Sequence, residues 1–318
     1  KVLGGCSSIN GMIYMRGQAR DYDHWGALGN DGWSWNECLP FFLRHEDFHK
    51  GADAFHAAPG FDESGERPGG EWRVEKQRLR WEILDAFAQA AQQAGIPASD
   101  DFNRGDNEGV GYFEVNQKSG WRWNTAKAFL RPACMQRPNF RLWTGAQLTR
   151  LQLQRDGDGT LRCHGADVLK DGQRVAVQAR GELILSAGAI GSPQILQLSG
   201  VGAADWLTEH GIATVHNRPG VGRNLQDHLQ QRAIFKVTGV KTLNTTYHSL
   251  IGRALIGMEY ALFRSGPLTM APSQLGIFTK SSPDHERANI EFHVQPLSLD
   301  KFGEPLHRFP AITEIGRA

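Results

Sequence analysis

The chain has 318 residues, and its 35 Lys and Arg against 34 Asp and Glu give a formal charge of +1. That balance excludes a nucleic-acid binder working through bulk positive charge and a coat for anionic membranes. A hydrophobic content of 40% with 22% charged residues excludes a disordered chain, and the length allows about two domains. Residues 1–37, rich in Gly, Asn, Asp and Trp, read as loops with short helical turns. Residues 38–48 (CLPFFLRHEDF) predict a short amphipathic helix, and 49–70 an exposed irregular excursion. Residues 81–94 give the clearest helix: Leu84, Phe87, Ala88 and Ala91 recur at helical spacing, and Gly95 then Pro97 stop it. From about 140 the period changes to two. Residues 140–144, 148–154, 160–164 and 174–179 read as strands, with turn signals at 156–159 and 171–172. The apolar run 182–186 (ELILS) predicts a strand buried on both faces, followed by a helix with Ser192 as N-cap and Pro193 at its first position. A second short helix covers 204–210 and ends at Gly211. Residues 232–238 and 289–295 read as strands of a different sheet, with a helix near 249–263.

Glycine is the compositional outlier. At 37 of 318 residues it is roughly 12%, against about 7% as usual, so many backbone positions need positive φ or close approach to something. Cys6, Cys38, Cys134 and Cys163 show neither a disulfide framework nor metal-ligand spacing, so no metal site is expected and the default setting is reducing and cytoplasmic. Residues 183–204 carry no charge, yet their Gln, Ser, Pro and Gly make them too polar for a transmembrane segment.

Three blocks carry candidate chemistry. Gly4-Gly5-Cys6-Ser7-Ser8-Ile9-Asn10-Gly11 pairs two glycines with small side chains. Such a loop either lets backbone N–H groups approach phosphate or is a plain turn. Asn10 adds an amide able to bond a heterocycle edge. Ser186-Ala187-Gly188-Ala189-Ile190-Gly191-Ser192-Pro193 sits at the carboxyl end of an expected strand, where open α/β sheets place ligands; tight strand–helix packing would demand the same small residues. In Gly220-Val221-Gly222-Arg223-Asn224-Leu225-Gln226-Asp227-His228 the Asp-His pair is expected to be buried, hydrogen-bonded and structural. His293, alone in its strand, is likewise expected to be structural, and Trp25, Trp33, Trp35, Trp121 and Trp123 to serve packing. No G-x-G-x-x-G fingerprint and no Walker A motif occur.

Together the blocks resemble the glucose–methanol–choline (GMC) flavoprotein oxidoreductases, choline dehydrogenases and acceptor-dependent alcohol dehydrogenases above all. KVLGGCSSINGMIYMRG (1–17) with DYDHW (21–25) is similar to the first family signature, and 186–202 to the second. GVGRNLQDH, RWNTAK (122–127) and FLRP (129–132) also fit, and the match runs to about Phe309. The resemblance implies an α/β (α+β overall) fold. In it a Rossmann-like FAD domain (1–37 and 80–228) joins a second, antiparallel-sheet substrate domain (38–79 and 229–318), both incomplete. It implies hydride transfer from an alcohol CH–OH group to flavin N5, giving the aldehyde. It places Gly4, Gly5, Cys6, Asn10, Gly11, Met12, Ile13, Leu148, Ala187 and Gly188 at the cofactor, with Leu148 acting through its backbone. Ile9 stands where some family oxidases carry a His bonded to FAD, so the FAD is expected to be non-covalent.

The chain resembles a central fragment. The family's N-terminal βαβ unit and the C-terminal third, with its catalytic His and His/Asn partner, lie outside the resemblance, so no catalytic residue is assigned. The segment alone is expected to be inactive. The expected partners are a small alcohol and an acceptor other than NAD (quinone, cytochrome or dye). The expected location is cytoplasmic, or peripheral to the inner membrane in a full-length parent. Two other readings are an FAD-containing hydroxynitrile lyase and an inactive truncated product; an NAD-type dehydrogenase is disfavoured for want of a fingerprint.

Overall fold

The computed structural model describes residues 2–58, 70–301 and 303–317, and the chain divides into two compact units. The first comprises Lys1–Phe140 and His228–Ala318. Its centre is a five-stranded antiparallel sheet of β1 (Gly109–Tyr112), β2 (Gln230–Lys236), β3 (Leu275–Thr279), β4 (Ile290–Gln295) and β5 (Ala311–Arg317), in the order β2-β5-β4-β3-β1. Strand periodicity sends alternate side chains to opposite faces. Leu275, Ile277, Val294, Ile312 and Val110 face the helix Glu82–Gln93 and pack with its Leu84 and Ala91. The other face presents Glu291, His293, Gln295, Ile315 and Arg317 to a cavity. Gly276 lies beneath Phe113, and a Cβ there would fall 2.3 Å from the ring, so this position requires glycine.

The sheet does not respect the boundary expected between the two domains. β1 lies within residues 80–228, yet Gly109–Tyr112 pairs with β3 from Leu275↔Tyr112 to Phe278↔Gly109. The clear helix of the sequence covers this same sheet. Residues 80–140 therefore pack with the C-terminal strands, and the compact boundary moves to 140/141 and 227/228.

The amphipathic stretch near 38–48 forms a helix at Trp35–His45 with a Ser34–Glu37 capping box. Glu46–Phe48 then leaves it as a short strand beside Trp72–Val74. Of the expected excursion, 59–69 lie outside the described residues. Residues 49–58 are irregular, but His56 and Ala57 are buried, because His56 inserts between Glu46 and Asp101.

The second unit, Arg141–Asp227, is built on a three-stranded antiparallel meander of Ala146–Arg155, Leu161–Lys170 and Gln173–Gln178. Leu151 and Ala166 pack with Ile195 of the helix Gly188–Leu198. Asp171 (φ 50°) and Gly172 (φ 81°) make the tight hairpin turn that the Asp-Gly pair predicts.

Three expectations fail in this unit. Residues 140–144 form no strand. Residues 182–186 pair with no strand among the described residues. There Leu183 and Leu185 pack on the meander–helix core while Ile184 is 76% exposed, so the run has one buried face where two were expected. The helix starts at Gly188, with Ala187 as N-cap. Ser192 acts from inside it, its Oγ accepting the Ala187 N–H at 3.0 Å.

Candidate functional site

The Gly-rich loop is held from below. Gly4 (φ 89°) and Gly5 (φ 54°) lead into a single turn at Gly5–Ser8. A Cβ on Gly4 would lie 2.5 Å from Ser8 Oγ and 3.3 Å from the Asn124 amide. The 122–125 segment clamps this turn. Asn124 Nδ2 donates to Ser8 Oγ (2.8 Å) and the Thr125 N–H to Ser7 Oγ (3.0 Å). Arg122 Nη1 donates to Ser7 O (3.2 Å) and to Asn10 Oδ1 (2.9 Å). Asn10 Oδ1 also accepts the Met12 N–H at 3.1 Å. The oxygen of Asn10 is thus committed to the protein, and its Nδ2, with no partner among the described residues, is the donor left for a ligand. Met12 adopts φ 64°, strained for a non-glycine residue. It stays there because its side chain is buried with Val115 and Ala271 and its carbonyl accepts the Asn116 N–H at 2.8 Å.

Asn10, Gly11, Met12 and Ile13 form one wall of a cavity of about 930 Å³ whose facing wall is the β4–β5 surface. A volume of this order suits a sizeable organic ligand. Glu291 is paired to Arg317 Nη1 at 3.2 Å and lies 3.6 Å from His293 Nε2. Burial alone would raise the Glu291 carboxyl. Hydrogen bonding and charge from His293, then the charges of Arg317 and His228, outweigh it and hold the group below its ordinary value. Gln295 Nε2 donates to Ser273 Oγ at 3.0 Å. Arg16, another wall residue, directs its guanidinium away, to Glu46 at 2.7 Å.

Gly4, Gly5 and Cys6 lie on the clamped turn, and residues 10–13 on the cavity. Leu148, Ala187 and Gly188 belong to the second unit. Leu148 borders a bulge in the strand pairing between Leu148 and Arg150, and bulges leave backbone groups outside the ladder. Gly188, at φ 90°, opens its helix, and beyond its chain neighbours and its own helix backbone nothing lies within 4 Å of the Cβ position. The expected burial of Asp227 and His228 is not met: both are exposed, and His228 lines the cavity. His293 is buried against the Phe113 ring, but it also faces the cavity. Sequence reasoning does not single out the clamp residues, or Glu291, Arg317 and Asn107, which line the cavity. The alternation in Ile-Glu-Phe-His-Val-Gln (290–295) is the available signal for a polar wall.

The GMC oxidoreductase family matches residues 1–230. The alcohol dehydrogenase [acceptor] of Pseudomonas putida is 37% identical over 310 residues, 96% of this chain and 53% of that protein. The mitochondrial choline dehydrogenase of Mus musculus is 37% identical over 303 residues, covering 95% of this chain and 48% of its own length. The chain thus spans about half the length of the curated relatives it matches. Among solved structures, an FAD-dependent oxidoreductase from Chaetomium thermophilum superposes with a TM-score of 0.77 at 27% identity, over 88% of this chain and 48% of that one. A formate oxidase does so with 0.82 at 20% identity, over 99% and 58%, which is a likeness of fold alone.

Proposed function

The chain belongs to the GMC oxidoreductase family, and on that premise we propose that its full-length parent holds FAD non-covalently and oxidises an alcohol CH–OH group to the aldehyde, the segment alone being inactive. The observation that supports this most is the convergence of Asn10, Gly11, Met12 and Ile13 on one cavity, with the Asn10 oxygen committed and its Nδ2 free to donate. The glycines of the clamped turn supply the close backbone approach that a flavin and its pyrophosphate need. In the second unit Leu148, Ala187 and Gly188 are proposed as cofactor contacts on the family resemblance alone.

FAD, when bound, would supply the hydride acceptor. Asn10 would orient the ring edge, and the strand residues would present a polar wall to the alcohol. The acceptor proposed for the electrons is one other than NAD, of quinone, cytochrome or dye type. A cytoplasmic or inner-membrane-peripheral setting goes with that reading. No helix among the described residues is long and apolar enough to cross a membrane.

The test is anaerobic addition of primary alcohols to the FAD-loaded full-length parent. The oxidised-flavin absorbance is expected to bleach, and an unchanged spectrum with every alcohol would contradict the assignment. Because Ile9 offers only carbon and is 77% exposed, the flavin is expected in the supernatant after acid precipitation. Flavin retained in the pellet would show a covalent link formed elsewhere.

A further inference from the structure

Arg122 reaches the Gly-rich turn from a tightly held hairpin. Its strand, Trp121–Arg122, pairs with Gln117–Lys118, and Gln117 stands opposite Arg122. Ser119 (φ 52°) and Gly120 (φ 78°) close the hairpin. A Cβ on Gly120 would lie 2.4 Å from the Arg264 carbonyl oxygen, so glycine is required there. The flanking residues tie the hairpin to the cavity wall: the Trp123 N–H donates to Asn116 O at 2.9 Å, and the Asn116 N–H to Met12 O at 2.8 Å. The Met12 N–H and Arg122 Nη1 then meet on Asn10 Oδ1, at 3.1 Å and 2.9 Å. Both neighbours of that atom are donors with no acceptor capacity, so the amide cannot turn its NH2 group toward them. The orientation of Asn10 is thereby fixed, and Nδ2 is the end of the amide left to a ligand.

The bond from Arg122 also carries charge. A guanidinium stays protonated in proteins, and a charge-assisted hydrogen bond is roughly twice as strong as a neutral one. Both acceptors that the Arg122 side chain meets are neutral, Ser7 O at 3.2 Å and Asn10 Oδ1. Lys127, whose Nζ donates to the Arg122 carbonyl at 2.8 Å, brings a second cation to the same segment. A cation on the oxygen of an amide draws electron density from its nitrogen and makes the N–H a better donor, as in any polarised chain of hydrogen bonds. We propose that Arg122 is a positioning residue acting through Asn10: it fixes the amide and strengthens its donor end, so that flavin is held more tightly reduced than oxidised. Reduction adds electron density to the ring, and hydrogen bonds and charge beside the ring tune its redox balance. This role rests on the proposed contact of Asn10 with the flavin ring, and the two can fail separately.

The experiment titrates the full-length parent with oxidised and with reduced FAD. The ratio of the two dissociation constants gives the shift in flavin midpoint potential, even where a variant binds both forms weakly. Arg122→Gln keeps an amide donor but no charge. It is expected to lower the preference for reduced flavin about tenfold, which is about 30 mV for a two-electron couple. Arg122→Lys keeps the charge and is expected to stay within about threefold of the wild-type ratio. In an Asn10→Leu background, Arg122→Gln is expected to change the ratio by less than about threefold, because the path through the amide is gone. If Arg122→Gln weakens both forms by the same factor at an unchanged potential, Arg122 is a clamp alone and the inference is overturned. An equal effect with and without Asn10, or an Arg122→Lys protein as impaired as Arg122→Gln, would overturn it too. A wild-type ratio in Asn10→Leu itself would remove Asn10 from the ring and overturn the underlying contact as well.

Discussion

Glu46→Ala is expected to destabilise the protein by about 3–5 kcal/mol, the usual result of removing one partner from a buried ionic cluster. Glu46 and Arg16 are fully buried and paired at 2.7 Å. The other Glu46 oxygen accepts the Ala57 N–H at 3.0 Å and faces His56 Nδ1 at 3.1 Å. His56 Nε2 meets Asp101 at 2.8 Å, so both ring nitrogens face carboxylates. The Ala variant strands the Arg16 charge and two donors in a dry interior. Against a total stability of about 5–15 kcal/mol, denaturant unfolding should show the loss plainly. A change below about 1 kcal/mol would mean that water reaches the cluster.

The same cluster gives stability a pH profile. Burial would lower His56, but bonds from Asp101 and Glu46 and their charges outweigh it and raise the imidazole above its ordinary value. Its contribution is therefore complete below about pH 6.5 and lost as pH rises through the raised value. Burial works to raise Asp101 and Glu46. For Asp101 the His56 and Asn103 bonds prevail and hold the carboxyl at about 2, and for Glu46 the His56 bond and the Arg16 charge prevail. Their contributions are present above about pH 4 and fade as pH falls below it. The unfolding midpoint should thus peak near pH 5–6.5, and His56→Gln should flatten the alkaline limb.

Gly4→Val is expected to weaken FAD binding by about 100-fold, equivalent to about 2.8 kcal/mol. The new Cβ would sit 2.5 Å from Ser8 Oγ at φ 89°, a conformation that branched side chains avoid. Relief requires the turn to leave its clamp, breaking the Asn124–Ser8 and Thr125–Ser7 bonds. Quenching of free-flavin fluorescence on titration with protein measures the effect. A change under about threefold would remove the turn from the cofactor site.

The legible parts of the fold are those with local causes. The helix Glu82–Gln93 announces itself through 3–4 spacing and a glycine stop. The meander strands show through period two, and the 171–172 turn through Asp-Gly. The misread parts have non-local causes. The apolar run at 182–186 carries the composition of a buried strand, but a strand also needs ladder partners, and composition does not encode them. Pro193 signals a helix start, yet the Ser192 side chain supports a start at Gly188 from within. The proposed cofactor loop is legible through family resemblance and its glycines. The cluster of Arg16, Glu46, His56 and Asp101 is not, because its members are far apart in sequence and only tertiary packing joins them. Asn107 escapes for a similar reason: one amide in a polar loop carries no periodic signal.

The central claim is that the cofactor lies on the clamped glycine turn and the cavity wall that follows it. Hydrogen exchange of the protein with and without FAD tests this at residue resolution. FAD is predicted to slow exchange at the amides of residues 5–13, at Leu148–Thr149 and at Ala187–Gly188, with the Glu82–Gln93 helix unchanged. Protection confined to other segments, or unaltered exchange at residues 5–13 under saturating FAD, would contradict it.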